Sequence, residues 1–190
     1  AALCDVLPTL QNPISLELAD CSFKVAEVNE LARAIQAGAA LTSINCLNNP
    51  IGEDGLATLV AAVKDSSVRS ICGLTEDQTI ADFSDMGLTP FDCQILSAEF
   101  EFRGFIAAVN SLTLDSTSDA KDVYGRWING GPKTYTLTVG EEKIDLSNMN
   151  LGSADVALVA SWLQRPEAAV EALAIGRNPI GSEGGATLLE

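Results

Sequence analysis

A chain of 190 residues is long enough for one domain or two small ones, and with 47% apolar residues it is not disordered as a whole. Its 26 acidic and 11 basic residues leave a net charge of -15, which repels a DNA or RNA backbone. It contains no histidine, so the usual near-neutral proton shuttle and the commonest metal ligand are both missing.

Aromatic residues make up only 5%, so a core must be assembled from many small side chains, which suits repeating layers. The cysteines, Cys4, Cys21, Cys46, Cys72 and Cys93, are odd in number and widely spaced, which argues against a disulfide framework. No CxxC pair offers a structural zinc site. This usage predicts a reducing intracellular compartment, cytoplasmic or organellar. No apolar run approaches the roughly 18 residues of a membrane span.

In chain order, residues 1–12 carry an apolar stripe of Leu3, Val6, Leu7 and Leu10, the end of an earlier unit or a cap. After Pro13 a short strand is predicted at Leu16 and Leu18, with a turn at Cys21 and re-entry at Phe23. The helical period follows in Val25, Val28, Leu31, Ala32 and Ile35. The second window is Ile44, Cys46, Asn49 and Ile51, with a helix on Leu56, Leu59, Val60 and Val63. An extra piece, 66–78, separates it from the third window, Ala81, Phe83, Met86 and Leu88. The next helix uses Cys93, Leu96 and Phe100, with Glu99 and Glu101 expected on its outer face. Leu112, Leu114 and Thr117 form the fourth window.

Residues 117–142 then break the rhythm. They hold no useful helical stripe, and Asn129, Gly130, Gly131 and Pro132 are turn formers. Residues 134–139 read as an extended segment that joins a sheet or makes a short hairpin. The fifth window is Ile144, Leu146, Met149 and Leu151, with a helix on Val156, Val159, Ala160 and Leu163 that Pro166 limits. The sixth is Leu173, Ile175, Asn178 and Ile180. It runs to Leu188, Leu189 and Glu190 inside an unfinished helix. An uncapped end exposes apolar surface, so a fragment, a longer protein or a partner-covered end is expected.

The windows are spaced by 28, 37, 31, 32 and 29 residues. Two stretches are near copies: LTSINCLNNPIGEDGLATL at 41–59 and VEALAIGRNPIGSEGGATL at 170–188. A second pair is IADFSDMGL at 80–88 and KIDLSNMNL at 143–151. The pattern L-x-x-L-x-L-x-x-N, as Leu41, Ile44, Cys46 and Asn49 and again as Val170, Leu173, Ile175 and Asn178, resembles the leucine-rich repeat. The opening I-G-x-x-G, as Ile51, Gly52 and Gly55 and as Ile180, Gly181 and Gly184, resembles its long helical form in ribonuclease-inhibitor-like proteins. The resemblance implies an α/β leucine-rich-repeat solenoid over residues 1–190, a horseshoe segment of about six units. Its parallel sheet would line the concave face and its helices the convex face, with an irregular insertion in the fourth repeat. It also implies that the repeat Asn bonds turn backbone, which Met86 and Met149 cannot imitate. Family members mostly act as protein-recognition scaffolds.

On such a sheet, residues between the buried ones face the concave side. The candidate partner-binding residues there are Glu17, Asp20, Asn45, Asn48, Asp82, Asp85, Asp115, Asp145 and Arg177, with Leu47 among the neighbouring outward positions. Carboxylates stacked at strand spacing, about 5 Å, should raise one another's pKa, a cost that a basic protein partner would relieve. Tyr124 and Trp127, in the 117–142 insert, are the second candidate surface, unless both fold back to seal the gap left by the missing helix. No G-x-S-x-G elbow, phosphate loop or H-E-x-x-H occurs, and a Cys–His dyad needs a histidine. The sequence therefore assigns no catalytic residue, no cofactor and no metal. Asp82, Asp85 and Asp115 are an alternative divalent-cation set, without EF-hand spacing. The expected function is a non-catalytic protein–protein interaction scaffold, a fragment or subunit of a larger complex, with no nucleic acid and no membrane span. The alternative is a purely structural subunit docked through its solenoid ends.

Overall fold

A computed structural model describes residues 2–102, 104–119 and 122–187. The predicted unfinished end at Leu188, Leu189 and Glu190 lies outside the described residues. The chain divides into two compact units, 1–78 with 98–108, and 79–97 with 109–190.

In the first unit, α1 (Ala2–Val6) and a 3-10 turn (Leu7–Thr9) lead into β1 (Ile14–Glu17), α2 (Val25–Gln36), β2 (Leu41–Asn45) and α3 (Gly52–Val63). β1 and β2 pair in parallel, Leu16 opposite Ile44 and Glu17 opposite Asn45. The helical stripe of α2 turns Val28, Leu31, Ala32 and Ile35 inward, and α2 packs against α3, which buries Leu59 and Val63. The Glu27 carboxylate starts α2 by accepting the Lys24 backbone N–H at 3.0 Å.

The second unit holds β3 (Ile80–Asp82), β4 (Ser111–Asp115), β5 (Thr134–Thr138), β6 (Lys143–Asp145), α5 (Ser153–Leu163), β7 (Ala172–Ala174) and α6 (Gly181–Thr187). Helix α4 (Pro90–Phe102) has residues in both units. Its start follows from T-P-F-D: Pro90 suits the first helical position, and the Asp92 carboxylate accepts the Thr89 N–H at 2.8 Å and the Thr89 hydroxyl at 2.6 Å. Leu112, Leu114, Ile144, Leu146, Val156 and Trp162 are buried. The Arg165 guanidinium lies 4.5 Å from the Trp162 ring centroid and donates to the Val109 carbonyl at 2.6 Å.

The strands do not make the single curved sheet that the repeat pattern predicts. They form three separate sheets, β1-β2, β3-β4-β5 and β6-β7, which overturns the leucine-rich-repeat solenoid and its horseshoe. The two inserts supply the physical reason. The 66–78 piece lies along β2: Arg69 N–H donates to the Thr42 carbonyl, Ile44 N–H to Ser70, Cys46 N–H to Ile71 and Gly73 N–H to Ile44, all at 2.7–2.9 Å. These bonds occupy the edge of β2 that a further parallel strand would need. In the second unit, β5 pairs antiparallel with β4, Leu112 opposite Leu137 and Leu114 opposite Tyr135. With β3 on one edge of β4 and β5 on the other, β6 has no edge of β4 to join and begins a new sheet with β7.

The near-copied motif nonetheless has one local geometry in both places. Asn48 and Arg177 take left-handed backbones, φ 57 and 60, and Gly52 and Gly181 follow at φ 64 and 63. A Cβ on Gly55 would come within 3.3 Å of Ile51 Cβ, and one on Gly184 within 3.0 Å of Ile180 Cβ. The Asn between them bonds the turn. Asn49 Nδ2 donates to the carbonyls of Leu18 (2.7 Å), Cys46 (3.1 Å) and Leu47 (3.1 Å), and its Oδ1 accepts from Cys21 N–H (3.1 Å) and Phe23 N–H (2.8 Å). Asn178 Nδ2 donates to Leu146 (2.7 Å) and Ile175 (2.8 Å), and its Oδ1 accepts from Leu151 N–H (3.1 Å). In the third window, where Met86 replaces Asn, the Asp115 carboxylate accepts the Asp85 N–H at 2.8 Å instead.

Glu99, expected on the outside of its helix, is fully buried. Its Oε1 accepts the Ser70 hydroxyl (2.7 Å), Ile71 N–H (2.6 Å) and Cys72 N–H (2.7 Å). Those two amides gain a partner that regular strand pairing does not give them. Glu99 Oε2 is buried with no hydrogen-bond partner among the described residues. Burial pushes the Glu99 carboxyl above its ordinary range, against the lowering effect of its donors. The same burial, with Glu99 nearby, pushes the Cys46 thiol up to about 12, so it stays an unreactive thiol.

Two outcomes are expected. Asn49→Ala removes a buried hub and should cost about 3 kcal/mol in urea unfolding, and Asn178→Ala, at a half-buried hub, about half as much; equal losses would refute the role given to burial. The folded chain also holds the Glu99 proton more tightly than the unfolded chain does. Its contribution is complete below the ordinary value of 4.5 and declines as pH rises through the higher folded-state value. Wild-type stability relative to Glu99→Gln should therefore fall with rising pH, and parallel pH profiles would contradict this.

Candidate functional site

The connection from β4 to β5 is long and has neither helix nor strand pairing of its own through most of its length, so its backbone polar groups need other partners. Aspartates provide them. Asp119 accepts Asn129 N–H at 3.1 Å and Gly131 N–H at 2.6 Å. Asp122 accepts Tyr124 N–H at 2.8 Å and Arg126 N–H at 3.0 Å, and pairs with the Arg126 guanidinium at 2.9 Å. Hydrogen bonds from Arg126 and Tyr124 hold the Asp122 carboxyl below its ordinary range. Gly125, Gly130 and Gly131 supply the positive φ values, 76, 90 and 92, that the turns require.

The foot of this loop is anchored in the core. Asp155, fully buried at the start of α5, accepts Thr117 N–H (3.1 Å), the Thr117 hydroxyl (3.1 Å), the Tyr135 hydroxyl (3.3 Å) and Gly152 N–H (2.8 Å). It thus ties both ends of the connection to one helix start. Burial pushes Asp155 above its ordinary range, and burial beside Asp155 pushes Tyr135 and Cys93 up as well. Ser118 Oγ donates to the Asn150 carbonyl at 2.5 Å, and Asn150 Nδ2 to the Gly131 carbonyl at 3.3 Å.

While aspartates hold its turns, the loop leaves large apolar side chains exposed. Val123 is 94% exposed, Tyr124 80%, Ile128 63% and Trp127 43%. Arg126 lies over the Tyr124 ring, 5.2 Å from its centroid. The alternative, in which Tyr124 and Trp127 both fold back to seal a gap, does not describe Tyr124. Trp127 is exposed too, although one edge of its ring lies against Gly131.

The predicted concave-face residues are divided among three separate sheets and between the two units. Glu17, Asp20, Asn45 and Asn48 belong to the first unit, and Asp82, Asp85, Asp115, Asp145 and Arg177 to the second. Asn45 is buried, with the 69–73 segment beside it, and Leu47 is fully buried. Nor do carboxylates stack. Glu17 faces Asn45, Asp82 faces Thr113, Asp115 faces Thr134 and Asp145 faces Ala174. Instead of being raised, Asp82 and Asp145 are held below the ordinary range by hydrogen bonds from Ser84 and Ser147. Asp115 spends its oxygens on Asp85 N–H and, at 2.6 Å, on the Thr134 hydroxyl. Among the described residues no group of three or more acidic or cysteine side chains could hold a metal ion, so Asp82, Asp85 and Asp115 do not form a cation site. Among the described residues no helix is long and apolar enough to cross a membrane.

Asp119, Asp122 and Arg126 escaped sequence reasoning, as did the exposed Val123 and Ile128. For Asp122 the available signal was its place two to four residues before the amides it accepts and three before Gly125; Asp119, bonded ten and twelve residues on, carried no local signal. No protein-family model matches the chain, and no curated protein sequence matches it.

Asp119→Ala should free the amides of Asn129 and Gly131 and loosen the loop without touching the core. Trypsin cleavage after Arg126 is expected to accelerate about tenfold, with the urea midpoint nearly unchanged. Unaltered cleavage would show that Asp119 does not order the loop.

Proposed function

We propose that this chain is a non-catalytic protein-binding module that engages its partner through the β4–β5 connection. One observation carries the reading: Val123, Tyr124, Trp127 and Ile128 are exposed on a loop whose turns are held by Asp119 and Asp122. Large apolar side chains clustered on a surface mark interaction sites more often than scattered ones do. Tyr, Trp and Arg are the residue types enriched where interfaces concentrate their binding energy, and Tyr124, Trp127 and Arg126 stand close in sequence. Burying each large apolar side chain against a partner would contribute roughly 1.5–3 kcal/mol. Because the loop is held by Asp119 and Asp122, little ordering entropy opposes that gain. The net charge of -15 favours encounter with a basic protein over an acidic one.

The test places a photo-crosslinking residue at Val123 in the full chain, with a control at Glu53 on α3, and exposes both to native extract. The Val123 position should yield discrete protein adducts that the Glu53 position does not. Those adducts should disappear in the Tyr124→Ala/Trp127→Ala background, while the unfolding free energy from urea titration stays within about 0.5 kcal/mol of wild type, as expected for exposed sites. Adducts shared with Glu53, or surviving the double substitution, would overturn the reading.

A further inference from the structure

The second unit has an open cleft of about 420 Å³ lined by Asn129, Lys133, Asn148, Asn150, Arg177 and Asn178. In a chain with 26 acidic and 11 basic residues, a cleft with two cations and, among the described residues, no carboxylate in its lining is out of character. Its walls are tied to one another. Lys133 Nζ donates to the Asn148 carbonyl at 2.6 Å, Asn148 N–H to the Gly176 carbonyl at 2.9 Å, Asn178 Nδ2 to the Leu146 carbonyl at 2.7 Å, and Asn150 Nδ2 to the Gly131 carbonyl at 3.3 Å. Three backbone segments are therefore cross-linked by polar side chains before any ligand arrives.

Two hydrogen-bonding groups in that lining remain uncommitted among the described residues. Arg177 is exposed, and its guanidinium makes no ion pair or hydrogen bond with another described side chain. Its backbone is left-handed, φ 60, a conformation that Asn or Gly adopts with less strain than Arg. The exposed Asn148 carboxamide is the second such group. Lys133 keeps two further N–H donors beyond the one given to Asn148.

We infer that this cleft is a binding site for a carboxylate. A guanidinium fork matches the two oxygens of a carboxylate, and the remaining Lys133 protons and the Asn148 amide add donors around it. The chain's own negative charge works against every anion and, in proportion to charge, more strongly against a phosphate dianion than a carboxylate monoanion. Short-range donors must overcome that field, so half-saturation at roughly millimolar concentration is expected for a small free carboxylate. The inference does not depend on the loop's partner, although Asn129 and Lys133 belong to the same β4–β5 connection.

Side-chain resonances of Arg177 and Asn148 in the isotopically labelled full chain provide the readout. The titrants are sodium acetate, N-acetyl-diglycine with a free carboxylate, the same peptide amidated, inorganic phosphate, and sodium chloride as an ionic-strength control. Acetate and the free-acid peptide should shift both resonances saturably, and the amidated peptide and chloride should not. A response to acetate alone would assign the site to small free acids, and a response to both would extend it to chain termini. Arg177→Asn, which suits the left-handed backbone, should weaken binding at least tenfold while leaving the remaining spectrum in place. Lys133→Gln gives an independent second loss, and Tyr124→Ala/Trp127→Ala should bind acetate as wild type does. Shifts that track chloride, unchanged binding in Arg177→Asn, or tighter binding of phosphate than of acetate would each overturn the assignment.

Discussion

The second unit turns on a carboxyl group sealed inside it. Asp155 takes the amide that opens α5, the amide and hydroxyl of Thr117 just after β4, and the phenol of Tyr135 on β5. One side chain thereby fixes where a helix starts, where a loop leaves and where a strand returns. A buried polar group is costly unless its partners are in place, so all must form together or not at all. Glu99 plays the matching part in the first unit, accepting from a segment that is otherwise half-paired. The difference is that one oxygen of Glu99 is left without a partner.

These carboxyls show where the acidity of the chain is spent. Asp82 and Asp145 each hold the backbone of a turn two residues on, Asp115 bridges to the turn after β3, and Asp119 and Asp122 hold the long loop. An aspartate is short enough to bond an amide two residues on, as Asp82 and Asp145 do, or one that the fold brings close, as Asp115 and Asp119 do. A chain rich in short strands and irregular links needs many such acceptors. Much of the surplus negative charge thus has structural employment before any partner is considered.

The alternating windows located the strands well: Ile44, Leu112, Leu114, Ile144 and Leu146 are all buried. The helical stripes of α2 and α5 likewise emerged from spacing alone. What spacing could not convey was which strand lies beside which. That depended on 69–73, read as an extra piece between two windows, and on β5, whose stretch was read as joining a sheet or making a short hairpin. Both take up strand edges that a continuous parallel sheet would have needed. Glu99 was misplaced for a related reason, since helical periodicity puts a charged residue outside unless a specific set of donors is waiting within. Tyr124 and Trp127 stood out by residue type, whereas the aspartates that present them have no pattern that distinguishes them from solvated loop acids.

The architecture of the β4–β5 connection separates what is shown from what does the holding. Asp119, Asp122 and the glycines define the path of the backbone, while Val123, Tyr124 and Ile128 contribute little to the interior. Selection can therefore rewrite the displayed side chains with small effect on folding, much as a tool holder accepts different bits. Divergent copies of this frame would be expected to keep the aspartates and turn glycines while changing the residues between them, and with those residues the preferred target.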